Sequence, residues 1–507
     1  MASDRDFRSG GIIVNIDINS EVIPFFGSVL GDREITEETF YPFVDQYVDL
    51  TDRKTQVRAL AFDIFCQYST VDSQVFSDYY AIWRRRVENG VPVNYDAQFK
   101  AQSLLSRAYG IDPYAVWFRR TRERGLEAWM SVRMNDCHCP DEDTCFLRSD
   151  FFYEAKSKGW MIGDLYGYRR NCFDYAVPQV RQKMLDYIEE QLARYDVDAL
   201  ELDFLREITC FDYLNCPDRV EIMNDFVRNV RALTDAASAK RGHRVRLVVR
   251  LMRDIQQNLV FGFDVQTWVS ERLVDHVSVS PRWATCDSDM PIAEWRARFP
   301  DMQISAGVET LVLKASKSSH ADADVVNGLA AAYISQGADY IYLYNYFINP
   351  RTPDTPFYRR TMDIIPRCGM ADTVFSSPRR HIVTYQDIFP SGHQPYRPLP
   401  LKLECAARSL EVHTGYVPAG REGKLIIGLS QGCPCCVDVA FNGRQCGEFQ
   451  PARIYSGIQE EPAVANAYVD ENVRLYQCPV ALEGRDVQEI LFRSEKACVD
   501  YIEIAIE

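Results

Sequence analysis

Residues 178–204 read PQVRQKMLDYIEEQLARYDVDALELDF, and this stretch decides the fold. Pro178 opens a helix that runs to Tyr195, with Val180, Met184, Leu185, Ile188 and Leu192 at helical spacing. Asp198 to Phe204 follows as a short apolar strand that ends in acid. A long amphipathic helix feeding a buried strand is one half-turn of a parallel α/β fold, because parallel strands need a crossover helix between them.

Working outward, the same unit recurs. Gly11 to Asp17, Val57 to Phe65 and Leu126 to Asn135 are strands on the N-terminal side. Val245 to Met252, Asp275 to Ser280, Gln303 to Val308 and Asp339 to Tyr346 are strands on the C-terminal side. Helical text separates most of them: Glu37 to Tyr47, Pro113 to Arg124 with Gly125 as its C-cap, Arg219 to Lys240, a segment around Glu294, and Ala323 to Gln336. Eight such strands favour a (β/α)₈ TIM barrel over an open doubly wound sheet. No Gly-rich phosphate loop of the GxGxxG or GxxxxGK[ST] type follows the first strand, which weakens a nucleotide-binding reading.

Past about residue 376 the helical period gives way to alternating strands: Leu410 to His413, Lys424 to Leu429, Val437 to Phe441, Val473 to Tyr476, Glu489 to Arg493 and Val499 to Ile506. Turn residues such as Asn442-Gly443 punctuate them. The expected architecture is a barrel over residues 1–375 and an all-β sandwich, jelly-roll-like, over 376–507.

The composition excludes several classes. With 47% apolar and 25% charged residues the chain is an ordinary globular sequence, neither disordered nor fibrous. A net charge of −15 argues against nucleic acid, which needs a basic footprint. No run approaches the roughly 20 apolar residues of a membrane helix, and MASDRDFRSGG lacks the apolar core of a signal peptide, so a cytoplasmic location is expected. Most of the 16 cysteines stand alone, as buried thiols do. Two groups differ: Cys137-His138-Cys139 with Cys145, and Cys433-Pro434-Cys435-Cys436. Each is open to a zinc site or a disulfide, yet neither has a pair of CxxC units at a convincing distance, and reduced thiols are the default.

In a barrel the site forms at the C-terminal ends of the strands. Those exits carry Asp17, Asp63, Arg133, Asn135, Asp136, His138, Glu201, Asp203, Arg250, Arg253, Glu309 and Asn345. Glu201 and Asp203 lie two apart in a strand and so face one side, where like charge raises the pKa of one member. Glu309, after strand seven, stands across the mouth from them. Two carboxyls in that relation are what glycoside hydrolysis needs. Arg133, Asn135, His138, Arg250, Asp17, Asp63 and Asn345 offer hydrogen bonds to sugar hydroxyls, and Trp283 is the best placed of Trp129, Trp160, Trp268 and Trp283 to stack on a ring.

The runs Ala128-Trp129-Met130-Ser131-Val132-Arg133-Met134-Asn135-Asp136 and Asp198-Ala199-Leu200-Glu201-Leu202-Asp203-Phe204-Leu205-Arg206 resemble the strand-three and strand-four motifs of the glycosyl-hydrolase-like family 10 group. These are barrel proteins related to the large retaining glycosidase clan, and the likeness spans roughly residues 10–365. It implies a sugar-active barrel with its acid/base on strand four, Asp203 or Glu201, and its nucleophile or second carboxylate on strand seven, Glu309. The Asn-Glu pair usual at the strand-four exit of that clan is replaced here by Glu201-Leu202-Asp203-Phe204.

The expected function is therefore a glycoside hydrolase that takes a carbohydrate substrate and uses no cofactor or metal, with no nucleic-acid or membrane partner. Two alternatives stand beside it: a metal-assisted lyase or isomerase with Asp136, His138, Glu201 and Asp203 as ligands, and a carbohydrate-binding barrel without catalysis.

Overall fold

The computed structural model describes residues 7–8, 10–22, 25, 34–50, 53–90, 109–137, 148–163, 169–282, 288–314, 317–347, 362–383, 399–431, 436–452, 472–482 and 484–507. Eight strands close a barrel: β1 (Ile12–Ile16), β2 (Val57–Phe65), β3 (Glu127–Arg133), β4 (Ala199–Asp203), β5 (Arg246–Met252), β6 (His276–Ser280), β7 (Gln303–Glu309) and β8 (Tyr340–Tyr344). Every neighbouring pair is parallel, and β1 completes the ring by pairing with both β2 and β8.

The helices that follow the strands in turn include α1 (Tyr41–Asp45), α2 (Pro113–Glu123), α3 (Pro178–Arg194), α4 (Arg219–Arg241), α5 (Val265–Ser270), α6 (Ile292–Arg298), α7 (Ala323–Ser335) and α8 (Ala371–Ser376). Their ends follow local chemistry. The Asp112 side chain accepts from the Tyr114 and Ala115 amides at the start of α2, and Asp322 does the same for Asp324 and Val325 at α7. Gly125, just past α2, takes φ +78°, the left-handed conformation that suits glycine after a helix.

Both faces of the barrel strands are buried, so their alternation separates the lumen from the outer layer. Ile13, Ala59, Ala61, Trp129, Ala199, Val248, Tyr342 and Tyr344 form one apolar cluster inside the barrel, apart from the cluster under the helices. Stepping two residues at a time from these toward the strand ends reaches Asn15, Asp63, Ser131, Arg133, Glu201, Asp203 and Arg250. The lumen is thus apolar at its base and charged at its mouth.

The C-terminal part is a β-sandwich. One sheet has the order β9 (Arg379–Val383), β18 (Ala497–Ile506), β12 (Gly423–Gln431), β16 (Arg474–Val480) and β15 (Gln450–Pro451), with β10 (Leu401–Leu403) also on β18. The other has the order β11 (Arg408–His413), β17 (Val487–Arg493), β13 (Asp438–Phe441) and β14 (Arg444–Gln445). Asn442 and Gly443, with φ +51° and +77°, make a hairpin between β13 and β14. Leu425, Ile427, Ile502 and Ile504 face the second sheet, while Ile382, Ile426, Leu475 and Tyr501 on the other face join the core of the barrel.

The join runs through α7. A Cβ on Gly328 would stand 2.2 Å from the Arg380 carbonyl oxygen, so the helix lies directly on the β9 backbone. Arg380 bridges the two parts, reaching Asp322 Oδ2 at 2.9 Å and Glu503 Oε1 at 2.6 Å, all three buried. No helix among the described residues is long and apolar enough to cross a membrane.

Candidate active site

The lumen fills in layers. Near its base His276 Nε2 meets Ser305 Oγ at 2.5 Å, and the His276 ring packs edge-on against Trp129. One layer up, Glu201 Oε1 accepts from Ser131 Oγ and Tyr342 OH, each at 2.8 Å. Glu201 is fully buried, and its carboxyl is pushed up to about 7, mainly by burial and then by the charge of Asp203.

Asp203, one pleat nearer the mouth, sits in different surroundings. Its Oδ1 accepts from the amides of Leu205 and Arg206 at 2.9 and 3.0 Å, because the chain turns sharply as it leaves β4. Arg250 Nη1 donates to both carboxylate oxygens, at 3.0 and 3.1 Å. The Arg250 guanidinium also lies 3.7 Å from the centre of the Tyr344 ring and reaches Ser280 Oγ at 3.4 Å.

Glu309 ends β7. Its Oε1 accepts from the Leu311 amide at 2.8 Å, and Asn345 Nδ2 stands 2.9 Å from both oxygens. Asn345 has φ +55°, a left-handed conformation that asparagine tolerates, and this places its amide against Glu309. Among the described residues no arginine contacts this carboxyl directly. Burial pushes it up to about 7 against the pull of the Leu311 and Asn345 donors and of more distant Arg250 and Arg282.

Two arginine-centred clusters complete the mouth. Arg133 lies 2.5 Å from Asp63 Oδ2, 2.7 Å from Asp17 Oδ2 and 3.3 Å from Asp136 Oδ2. Burial drives the Asp63 carboxyl well above its usual range, opposed by Arg133. Glu207 is held by Arg282 at 2.6 Å and Arg169 at 3.2 Å, with Arg206 between it and Asp136. The mouth therefore gathers seven carboxyls (Asp17, Asp63, Asp136, Glu201, Asp203, Glu207, Glu309) around five arginines (Arg133, Arg169, Arg206, Arg250, Arg282). Among the described residues Glu201 and Glu309 stand outside the ion pairs, and both hold a proton to about pH 7. A buried carboxyl with no cation keeps its proton because the charged form cannot be solvated.

The residues marked out in the sequence are distributed across this network. Asp17, Asp63, Arg133, Glu201, Asp203, Arg250, Glu309 and Asn345 all line the mouth or the lumen below it. Asn135 is turned elsewhere: its Nδ2 donates to the Phe173 and Thr209 carbonyls and its Oδ1 accepts from the Phe173 amide, so it braces two exit loops. Trp129 and Trp268 are core side chains, the latter donating to Asn224 Oδ1. His138 and Trp283 lie outside the described residues. Among the described residues no group of three His, Cys, Asp or Glu is arranged to hold a metal ion. Asp136 faces Arg133 and Arg206 instead, and Glu201 faces two hydroxyls.

Tyr342, Tyr344, Ser131, Ser280 and Glu207 were not singled out from the sequence. The signal for the tyrosines was present in Tyr340-Ile341-Tyr342-Leu343-Tyr344, where alternation sets all three on the lumen side. Glu207 carried none, because it sits in the loop after β4.

No family model matches the sequence, and no curated protein matches it. Solved structures do resemble the fold. A glycoside hydrolase family 18 N-acetylglucosaminidase from Paenibacillus barengoltzii aligns with TM-score 0.36 and 10% identity, over 71% of this chain and 99% of that one. The glycoside hydrolase domain of PgaB (BpsB) from Bordetella bronchiseptica aligns with TM-score 0.39 and 9% identity, over 71% and 99%. Alpha-L-fucosidase isoenzyme 1 from Paenibacillus thiaminolyticus aligns with TM-score 0.33 and 13% identity, over 96% and 97%.

Proposed function

We propose that this chain is a glycoside hydrolase that cleaves an O-glycosidic bond with Glu309 as proton donor and Asp203 as the charged partner. The observation that carries the reading is the contrast between the two carboxyls. Glu309 makes no ion pair with a described arginine and holds its proton to about pH 7, while Asp203 is paired with Arg250. Hydrolysis needs one carboxyl protonated to assist the leaving group and one charged to stabilise the oxocarbenium-like centre. The roles run opposite to the order that the resemblance implies, because Arg250 attends strand four rather than strand seven.

In this reading Arg250, stacked on Tyr344, fixes the charge of Asp203, and Asn345 aims the Glu309 carboxyl. Glu201 lies one layer too deep to touch substrate and supports the floor of the site through Tyr342. Asp17 and Asn345 keep some exposure and suit contact with sugar hydroxyls, whereas Asp63, Arg133 and Asn135 build the wall behind them. Residues 1–375 form the catalytic part and 376–507 an accessory sandwich.

The test is turnover on a panel of aryl glycosides that differ in leaving group. Glu309→Gln is expected to lose a factor of about 10² to 10⁴ in kcat/KM on a poor leaving group, and much less on a dinitrophenyl glycoside, which departs without a proton. An equal loss on both substrates removes Glu309 from the donor role. A second reading, a carbohydrate-binding barrel without catalysis, is favoured by how fully Asp203 Oδ1 is occupied by two amides and Arg250. Sugar binding without turnover by the wild type would establish it.

A further inference from the structure

Cys137 and Cys172 are brought together by the exits of the barrel and have no part in the chemistry above. Cys137 directly follows Asp136, and Cys172 lies 35 positions further on. Their sulfurs stand 3.0 Å apart, inside ordinary contact for two unbonded sulfur atoms, and both side chains are buried, at 7% and 0% exposure. Elsewhere Cys368 meets the Ala323 carbonyl, Cys405 that of Glu495 and Cys498 the Asp500 carboxylate, while Cys446 and Cys478 of the sandwich face each other. The backbone around the pair is already fixed. Asn135 holds Phe173 through both its amide and its carbonyl, Ile162 donates to the Cys172 carbonyl, and Cys172 donates to that of Arg169. Little movement separates the two thiols from a bond.

We propose that Cys137 and Cys172 form a disulfide by exchange with a small disulfide oxidant of the glutathione class, and that this bond clasps the β3 exit to the Arg169–Phe173 segment. Cys137, the more exposed thiol, loses its proton and attacks one sulfur of oxidised glutathione, releasing a glutathione thiolate. The Cys172 thiolate then attacks Cys137 Sγ, breaking the mixed disulfide and releasing the second glutathione thiolate. The protein loses two electrons and two protons, and both pass to the oxidant, which becomes two thiols. Burial holds both thiols above their usual range, so the exchange is slow at neutral pH and quickens in mild alkali. The clasp secures both walls of the mouth, since Asp136 on one side meets Arg133 and Arg169 on the other meets Glu207.

The full chain is incubated with oxidised glutathione or with a reductant, alkylated, digested with trypsin and mapped without reduction. The Cys172 peptide, Asn171 to Arg181, holds one cysteine, and its expected partner, Met134 to Arg148, holds Cys137, Cys139 and Cys145. Fragmentation should place the bond at Cys137 with loss of two hydrogens. A bond to Cys139 or Cys145, a lone glutathione adduct, or two alkylated thiols after oxidation each overturns the proposal. The oxidised wild type should also melt several degrees above the reduced form, because the bond closes a loop of 35 residues. A doubly substituted C137S/C172S chain should not respond to reductant. A mapped bond with no change in melting overturns the clasp.

Discussion

Glu201 and Glu309 release their protons near pH 7 in the folded protein, against 4.5 for a glutamate in open chain. Between those values the native state binds more protons than the unfolded one, so stability falls as pH rises through the window. The contribution is complete below about pH 4.5 and lost above about 7. Glu201→Gln is expected to flatten the pH dependence of the urea midpoint across that range, leaving the smaller slope due to Glu309 and the other raised carboxyls, Asp63 among them. An unchanged slope would place the Glu201 proton elsewhere. Arg133 poses the opposite case, a buried cation serving Asp17, Asp63 and Asp136. Arg133→Met should cost roughly 3–5 kcal/mol by chemical denaturation, because it strands charge in the interior. A loss below about 1 kcal/mol would mean that the three acids are neutral without it.

At the scale of elements, close approach of neighbouring strands explains Gly307. A Cβ on Gly307 of β7 would fall 2.2 Å from Ser280 Oγ and 2.8 Å from Ser280 Cα on β6. Gly307→Ala must push the two strands apart, at a cost of about 1–3 kcal/mol, and it displaces the hydroxyl that Arg250 reaches. Denaturation should show the loss, and kcat should fall with it. A stable variant with normal turnover would show that the strands have slack. Most element positions were legible because hydrophobic period is local: β2 spans Val57–Phe65 as the sequence indicates, and the observed ends of the other barrel strands lie within two residues of the expected ones. The strand Arg379–Val383 was missed because Arg379-Arg380-His381 reads as a polar linker. It becomes a buried strand only because Arg380 finds Asp322 and Glu503, and Arg379 donates to the Phe375 and Tyr416 carbonyls.

For the whole molecule, the shared core bears on how separable the sandwich is. Ile382, Ile426, Leu475 and Tyr501 pack into the barrel cluster, and α7 is buried along nearly its whole length. A chain ending at Ser376 would expose that helix, and it is expected to aggregate rather than yield an isolated barrel. A soluble fragment with the melting point of the full chain would contradict this. Arg380→Met should remove about 3–5 kcal/mol, with barrel and sandwich unfolding in a single calorimetric transition. Two separate transitions in the wild type would mean that the interface adds little.

The sequence alone determined the eight-strand barrel and the appended sandwich. Those properties follow from periods of two and 3.6 residues, which any short window displays. It also brought forward Glu201, Asp203 and Glu309, since acids at the ends of apolar strands are visible one strand at a time. Only the tertiary structure decided which acid meets an arginine. Arg250 serves Asp203 from the next strand, Arg133 gathers acids from β2 and from the turns after β1 and β3, and Glu309 is left to Asn345. The same closure sets Cys137 against Cys172 and turns Asn135 away from the mouth. The physical reason is distance along the chain. Protonation and pairing depend on charges within a few ångströms, and the barrel brings those charges from strands up to a hundred or more residues apart.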